Sequence, residues 1–151
     1  MMTYYDRLSG VPECAFETGR GVIFPWLCDS MGHLATQHYM AFYDAAFFHL
    51  LQAIAPSKNP IEELAIGWAD VRHEIDYMNE LHSGDLIILH SWVIGLGRSS
   101  LTHRTIINRM GDDVLCSAVI SKTVRFDLKS RKSVEIVGKE RELAQSLMLE
   151  P

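Results

Sequence analysis

The chain changes hydrophobic rhythm partway along its length. From Met40 to Ile54 the residues are apolar apart from Asp44, His49 and Gln52, on nearly every side of a helical wheel. From Ile66 onward the apolar positions tend instead to recur at every second residue. The first rhythm predicts a buried helix, stopped by the prolines and polar residues of APSKNP, Ala55 to Pro60. The second predicts four long strands, Ile66 to Met78, Leu86 to Gly97, Leu101 to Met110 and Val114 to Leu128. LHSGD, GRSS and GDD supply the turns between them. In the last strand Cys116, Ala118, Ile120, Val124, Phe126 and Leu128 share one face, which only Lys122 interrupts. Upstream, GVIFPWLC from Gly21 to Cys28 predicts a short strand whose Pro25 marks an edge or a bulge. GKERELAQSLML, Gly138 to Leu149, predicts a second, amphipathic helix.

This order, strand, long helix, then a strand meander, predicts an α+β fold in one domain spanning residues 1–151. No repeat, low-complexity tract or linker divides it. A helix apolar all round cannot lie on a flat sheet with its other side in water. It must be wrapped by a strongly curved sheet, or held between a sheet and a partner subunit.

Composition narrows the function classes. With 48% hydrophobic and 22% charged residues the chain is neither disordered nor fibrous. A net charge of −5 removes the basic footprint of nucleic-acid binding, so an anionic ligand needs a local basic patch. The three cysteines, Cys14, Cys28 and Cys116, form no CxxC pair, and a reducing cytoplasm is expected. Cys28 beside Asp29 suggests a nucleophile only until weighed against the commoner small buried cysteine. The first residues lack the basic and apolar regions of a secretory signal, and the apolar helix is too short to span a bilayer.

Chemistry concentrates where the polar loop meets the helix. A helix N-terminus offers unpaired N–H groups and the positive end of a dipole, so it can hold a developing oxyanion. Thr36 or Gln37 lies where the helix should begin, with Thr36 a plausible N-cap. Asp29, seven residues before Thr36, could fold back over that terminus. A carboxylate facing an oxyanion site suits acyl transfer to water. From the spacing alone, an Asp that only caps the loop is the favoured reading.

DSMGHLATQHY, Asp29 to Tyr39, resembles the D-x-x-G-H-(V/M)-N-x-x-x-Y signature of acyl-CoA thioesterases of the 4-hydroxybenzoyl-CoA thioesterase type. The likeness continues through IDY (Ile75 to Tyr77), Gly84-Asp85 and GLGRSS (Gly95 to Ser100), covering most of residues 20 to 130. The resemblance implies a hotdog fold, a long central helix wrapped by a curved antiparallel β-sheet. It implies a homodimer or homotetramer with interfacial active sites, acting on acyl-CoA without cofactor or metal, coenzyme A being part of the substrate. It makes Asp29 the catalytic general base or nucleophile and the backbone N–H near Thr36 the carbonyl-polarising donor. The family's asparagine after His-Val is Ala35 here.

Other candidates surround these. His33 fixes the loop or assists catalysis, and Gln37, His38 and Tyr39 lie along the first helical turn, where substrate would pass. His33 and His38 also suggest a metal pair, but no further ligands follow at a recognisable spacing, so no metal site is expected. Asp44 is the reserve carboxylate. His73 shares a strand face with Val71, Ile75 and Tyr77, as a core histidine or a substrate contact. Arg98, Ser99 and Ser100 form a turn suited to coenzyme A phosphates, with Lys129, Arg131 and Lys132 a second basic group; a merely solvated turn fits either set. The aromatic residues Trp26, Trp68, Trp92, Tyr39 and Tyr77 could pack the core or hold a quaternary ammonium acyl group. Two other functions stay open. An enoyl or hydroxyacyl-CoA hydratase would place four residues between its Asp and His, where Asp29 and His33 have three. A non-catalytic acyl-CoA-binding protein would have no need of Asp29.

Overall fold

A computed structural model describes residues 11–56 and 65–149. Five strands, β1 (Phe16–Val22), β2 (Ile66–Tyr77), β3 (Leu86–Leu96), β4 (Ser100–Arg109) and β5 (Val114–Asp127), form one sheet in the order β1-β3-β4-β5-β2. Every neighbouring pair is antiparallel. Helix α1 (Thr36–Ile54) packs on β1, β3 and the C-terminal helix α2 (Gly138–Ser146). The four predicted strands of the meander agree with β2 to β5 to within one residue at each end, because alternation and Gly/Asp turns encode strands locally.

Two expectations shift. The strand predicted over Gly21 to Cys28 lies earlier, in β1, and Pro25 opens a single 3-10 turn, Pro25–Leu27. Proline has no N–H to give a ladder and its fixed φ suits the first position of a helical turn, so it ends the strand rather than marking a bulge inside one. The N-cap of α1 is Ala35, and Thr36 is already helical, so Thr36 is not the cap. At the other end α1 stops at Ile54, where the Ala55 N–H still bonds Leu51 O at 2.7 Å. Residues 57–60 of the predicted stop signal lie outside the described residues.

Within the single chain α1 buries one stripe, Tyr39, Tyr43, Ala46, Leu50 and Ile54, spaced three or four apart. Tyr39, Tyr43 and Ala46 pack with Ile87, Leu89, Ile107 and Val119 of the sheet, while Leu50 and Ile54 meet Val93, Leu101, Ile136 and Ala144. The outer side of the helix is open, and Phe48 there is 71% exposed.

The sheet face beneath α1 is partly built from hydroxyls. Tyr43 Oη donates to Ser117 Oγ at 2.6 Å, and Ser117 passes a bond to the Asp76 carbonyl at 2.8 Å. Across β1, β3 and β4, Thr18, Ser91 and Thr105 form a buried chain of hydroxyl bonds, each 2.7 Å long. Every member is satisfied, so the burial costs little.

Candidate active site

The loop before α1 is a tight turn built from its own polar groups. The Asp29 N–H bonds His33 O at 2.8 Å and the Gly32 N–H bonds Asp29 O at 3.0 Å. Gly32 has φ of +80°, a left-handed backbone that a side chain would strain. Asp29 Oδ1 accepts the N–H of Met31 at 2.9 Å and that of His33 at 3.3 Å. Asp29 therefore does cap its loop, with one oxygen. Oδ2 has no hydrogen-bond partner among the described residues, and the residue is exposed.

Backbone pairing then carries the turn to the helix. Cys28 bridges Leu34, and the Leu34 and Ala35 N–H groups bond Leu81 O at 2.8 Å and Leu27 O at 2.9 Å. These bonds leave the chain extended at Ala35 before α1 begins. Alanine has no side-chain acceptor, so no side chain caps the first turn. The N–H groups of Thr36 and Gln37 are thus left to water or a ligand, at the positive end of a 19-residue helix.

Asp29 and this helix end open onto one pocket of about 390 Å³. His33, Leu34, Thr36 and Tyr39 line one side; Tyr77, Met78, Asn79 and Glu80, from the end of β2, line the other. Tyr39 and Tyr77 meet edge to face with ring centroids 4.9 Å apart, which closes the apolar end. Burial pushes the Tyr39 phenol up to about 12, with smaller contributions from Cys116, Tyr77 and Glu80, so it stays neutral and hydrogen-bonding at physiological pH.

Four sequence candidates, Asp29, His33, Thr36 and Tyr39, therefore share a pocket, and the others do not line it. Gln37 and His38 are on the first turn of α1, their side chains 3.3 Å apart. His73 Nδ1 contacts Ser121 Oγ at 2.8 Å and lines a separate cavity with Asp44, Asp70 and His103. That cavity measures about 10 Å³, room for roughly one water and not for an acyl group. Arg98, Ser99 and Ser100 turn the chain at the far end of the sheet. Ser100 pairs with Val124 of β5, whereas Tyr77 at the pocket pairs with Ser117. Seven residues of extended strand separate those two points, on the order of 20 Å.

Sequence spacing missed Met78, Asn79 and Glu80 as pocket residues, and offered Tyr77 only as one of five aromatics, because strand pairing, not proximity in the chain, brings them beside α1. The fold sets His33 against His82, in an isolated backbone bridge, and against Glu80.

Residues 23–141 match the sequence profile of the thioesterase-like superfamily. No curated protein matches the chain. Among solved structures the chain is similar to a predicted thioesterase from Bacillus stearothermophilus, 19% identical, with a TM-score of 0.78 over 91% of this chain and 98% of that one. A Staphylococcus aureus protein in complex with CoA is 13% identical, with a TM-score of 0.79 over 90% of this chain and 88% of its own. A 1,4-dihydroxy-2-naphthoyl-CoA thioesterase from Synechocystis is 16% identical, with a TM-score of 0.75 over 88% and 97%. At these identities the likeness establishes the fold, a long helix on a five-stranded antiparallel sheet of the hotdog type.

Proposed function

Because the chain belongs to the thioesterase-like superfamily, we propose that it hydrolyses an acyl-CoA thioester in the pocket between Asp29 and the first turn of α1. The observation that carries this proposal is that a carboxylate with an unengaged oxygen and a helix N-terminus without a side-chain cap line the same cavity. The thioester carbonyl oxygen accepts from the Thr36 and Gln37 N–H groups, which are strongest when that oxygen becomes an oxyanion. Asp29 then either takes a proton from water as the water adds to the carbonyl carbon, or adds to that carbon itself. In both routes the carbon–sulfur bond breaks and coenzyme A leaves as a thiolate that picks up a proton. In the second route water cleaves the resulting anhydride and regenerates the carboxylate. Neither route needs a metal or a redox cofactor. His33 supports the site by donating its backbone N–H to Asp29. Tyr39 walls the acyl end with Tyr77.

The CoA complex of the Staphylococcus aureus protein and the naphthoyl-CoA activity of the Synechocystis protein support a CoA-linked substrate. Arg98, Ser99 and Ser100 lie on the order of 20 Å along the sheet from Tyr77, and in this proposal they meet the CoA phosphates of a second copy. The functional unit is then a homodimer or a pair of dimers.

The test is release of free thiol from a panel of short, aromatic, long-chain and betaine-type CoA thioesters, followed with a thiol-reactive dye with and without chelator. Turnover of at least one member is expected. Hydrolysis of none, with chelator or with added zinc, would overturn the proposal.

A further inference from the structure

Beside the pocket, three metal-ligating side chains converge from two segments that are remote in sequence. Glu80 Oε2 stands 3.2 Å from His33 Nε2 and 3.6 Å from His82 Nε2. The ligand atoms of all three residues lie within 4.8 Å of one another. The two imidazoles are nearly perpendicular, at 85°, with centroids 4.9 Å apart, so both can aim a nitrogen at one point. Ligand atoms around a tetrahedral zinc with bonds of about 2.0–2.1 Å stand about 3.4 Å apart. The two distances to Glu80 bracket that value, and closing the third edge needs only small side-chain rotations.

The backbone supports the same arrangement. His33 and His82 face each other in an isolated antiparallel bridge, and Leu34 N–H bonds Leu81 O at 2.8 Å, so their Cα positions are fixed before any ligand arrives. Asp85 Oδ2 accepts the His82 N–H at 2.8 Å and stands 3.9 Å from His82 Nδ1. A carboxylate near the non-ligating nitrogen is the partner that orients a metal-bound imidazole. His33 is half-buried while Glu80 and His82 are exposed, which gives an ion a route from solvent. Two imidazoles and one carboxylate select zinc or a neighbouring late first-row ion over magnesium or calcium.

We propose that His33, Glu80 and His82 form a zinc site that staples the Asp29 turn to the connection between β2 and β3. The fourth position faces solvent. This does not depend on the hydrolytic function, and its test reads metal directly.

Untagged full-length protein, stripped with chelator, is titrated with zinc chloride against a chromogenic chelator. One zinc per chain is expected, together with a rise in melting temperature, since an ion that binds only the folded chain stabilises it. His82→Ala and Glu80→Gln should each weaken zinc binding by at least about tenfold, because even the loss of an orienting partner costs that much. His49→Ala, which removes an exposed histidine elsewhere on the surface, should change nothing. Crystals soaked in zinc should show an anomalous peak between His33 Nε2, Glu80 and His82 Nε2. No saturable binding, or equal affinity in wild type and His82→Ala, would overturn the site whatever the esterase assay gives.

Discussion

In the proposed reaction Asp29 has two functions that one substitution separates. Its Oδ1 holds the turn by accepting the Met31 and His33 N–H groups, and an asparagine Oδ1 accepts the same bonds. Asp29→Asn should therefore fold normally but lose the charge needed to activate water or attack carbon, so turnover falls by about 10²–10⁴-fold with KM little changed. Near-normal steady-state kinetics would return Asp29 to a loop-capping role. A second residue-scale prediction concerns His103. The ring is 2% exposed, stacks on Phe47 with centroids 4.9 Å apart, and neither nitrogen has a hydrogen-bond partner among the described residues. Burial, with a smaller push from His73, lowers its pKa from 6.5 to about 4. The folded ring stays neutral where the unfolded one takes a proton. Stability is then undiminished above about pH 6.5 and falls as pH drops towards 4, by up to about 3 kcal/mol. Urea titrations at pH 7 and pH 5 should show about 2 kcal/mol of that loss, and His103→Phe should shrink it. Of these residues, Asp29 and Thr36 were legible as a pair because short spacing along one loop kept them together. The neutrality of His103 was not, since it follows from what is stacked above it.

Elements whose signal is local were the ones the sequence encoded well. Alternation and turn residues placed β2 to β5, and unbroken apolarity placed α1. What alternation could not say is which face of β5 meets the helix. Ala118 packs on the far side, with Trp92, Ile106 and Leu115, whereas Cys116 of the same predicted face packs with Tyr39 and Tyr43 of the helix. The helix instead covers Ser117, bonded to Tyr43, and Val119. Small hydroxyl residues there let large tyrosines from α1 come close, and only the tertiary pairing shows that they are satisfied. A comparable fit decides where α1 crosses β1. A Cβ on Gly21 would stand 2.7 Å from Phe42 Cε1 and 3.3 Å from Ile87 Cγ1. Gly21→Val should cost about 1–3 kcal/mol by overpacking. Denaturant midpoints should show it, with the penalty reduced when Phe42→Leu is combined with it, the coupling expected of a direct contact.

At the scale of the molecule, the sheet has two edges that differ in character. β1 is short, carries a bulge between Glu17 and Gly19, and bears an Arg20–Glu17 pair, all features that discourage further pairing. β2 is 12 residues long and, among the described residues, pairs only with β5. Its free side offers a row of backbone groups to another strand, and the open face of α1 presents Phe48. Light scattering at micromolar concentration should accordingly report a dimer or larger assembly. A compact monomer would leave Arg98, Ser99 and Ser100 without the second pocket proposed for them. The need to cover α1 was legible in its composition; which strand would stand at the edge was not, because strand order depends on long-range pairing.

The alanine at the head of α1 has a consequence for anyone trying to improve this protein. Ser or Asp at position 35 would supply the missing first-turn acceptor and add about 1 kcal/mol, a gain that a thermal-shift screen would reward. That acceptor would compete for the Gln37 N–H, one of the two donors proposed for the thioester oxygen, and an Asp would also set a negative charge where the oxyanion would form. Such variants should melt higher and turn over more slowly. Selection for robustness alone would then discard the reactivity first, and at the residue with the smallest side chain in the motif after glycine.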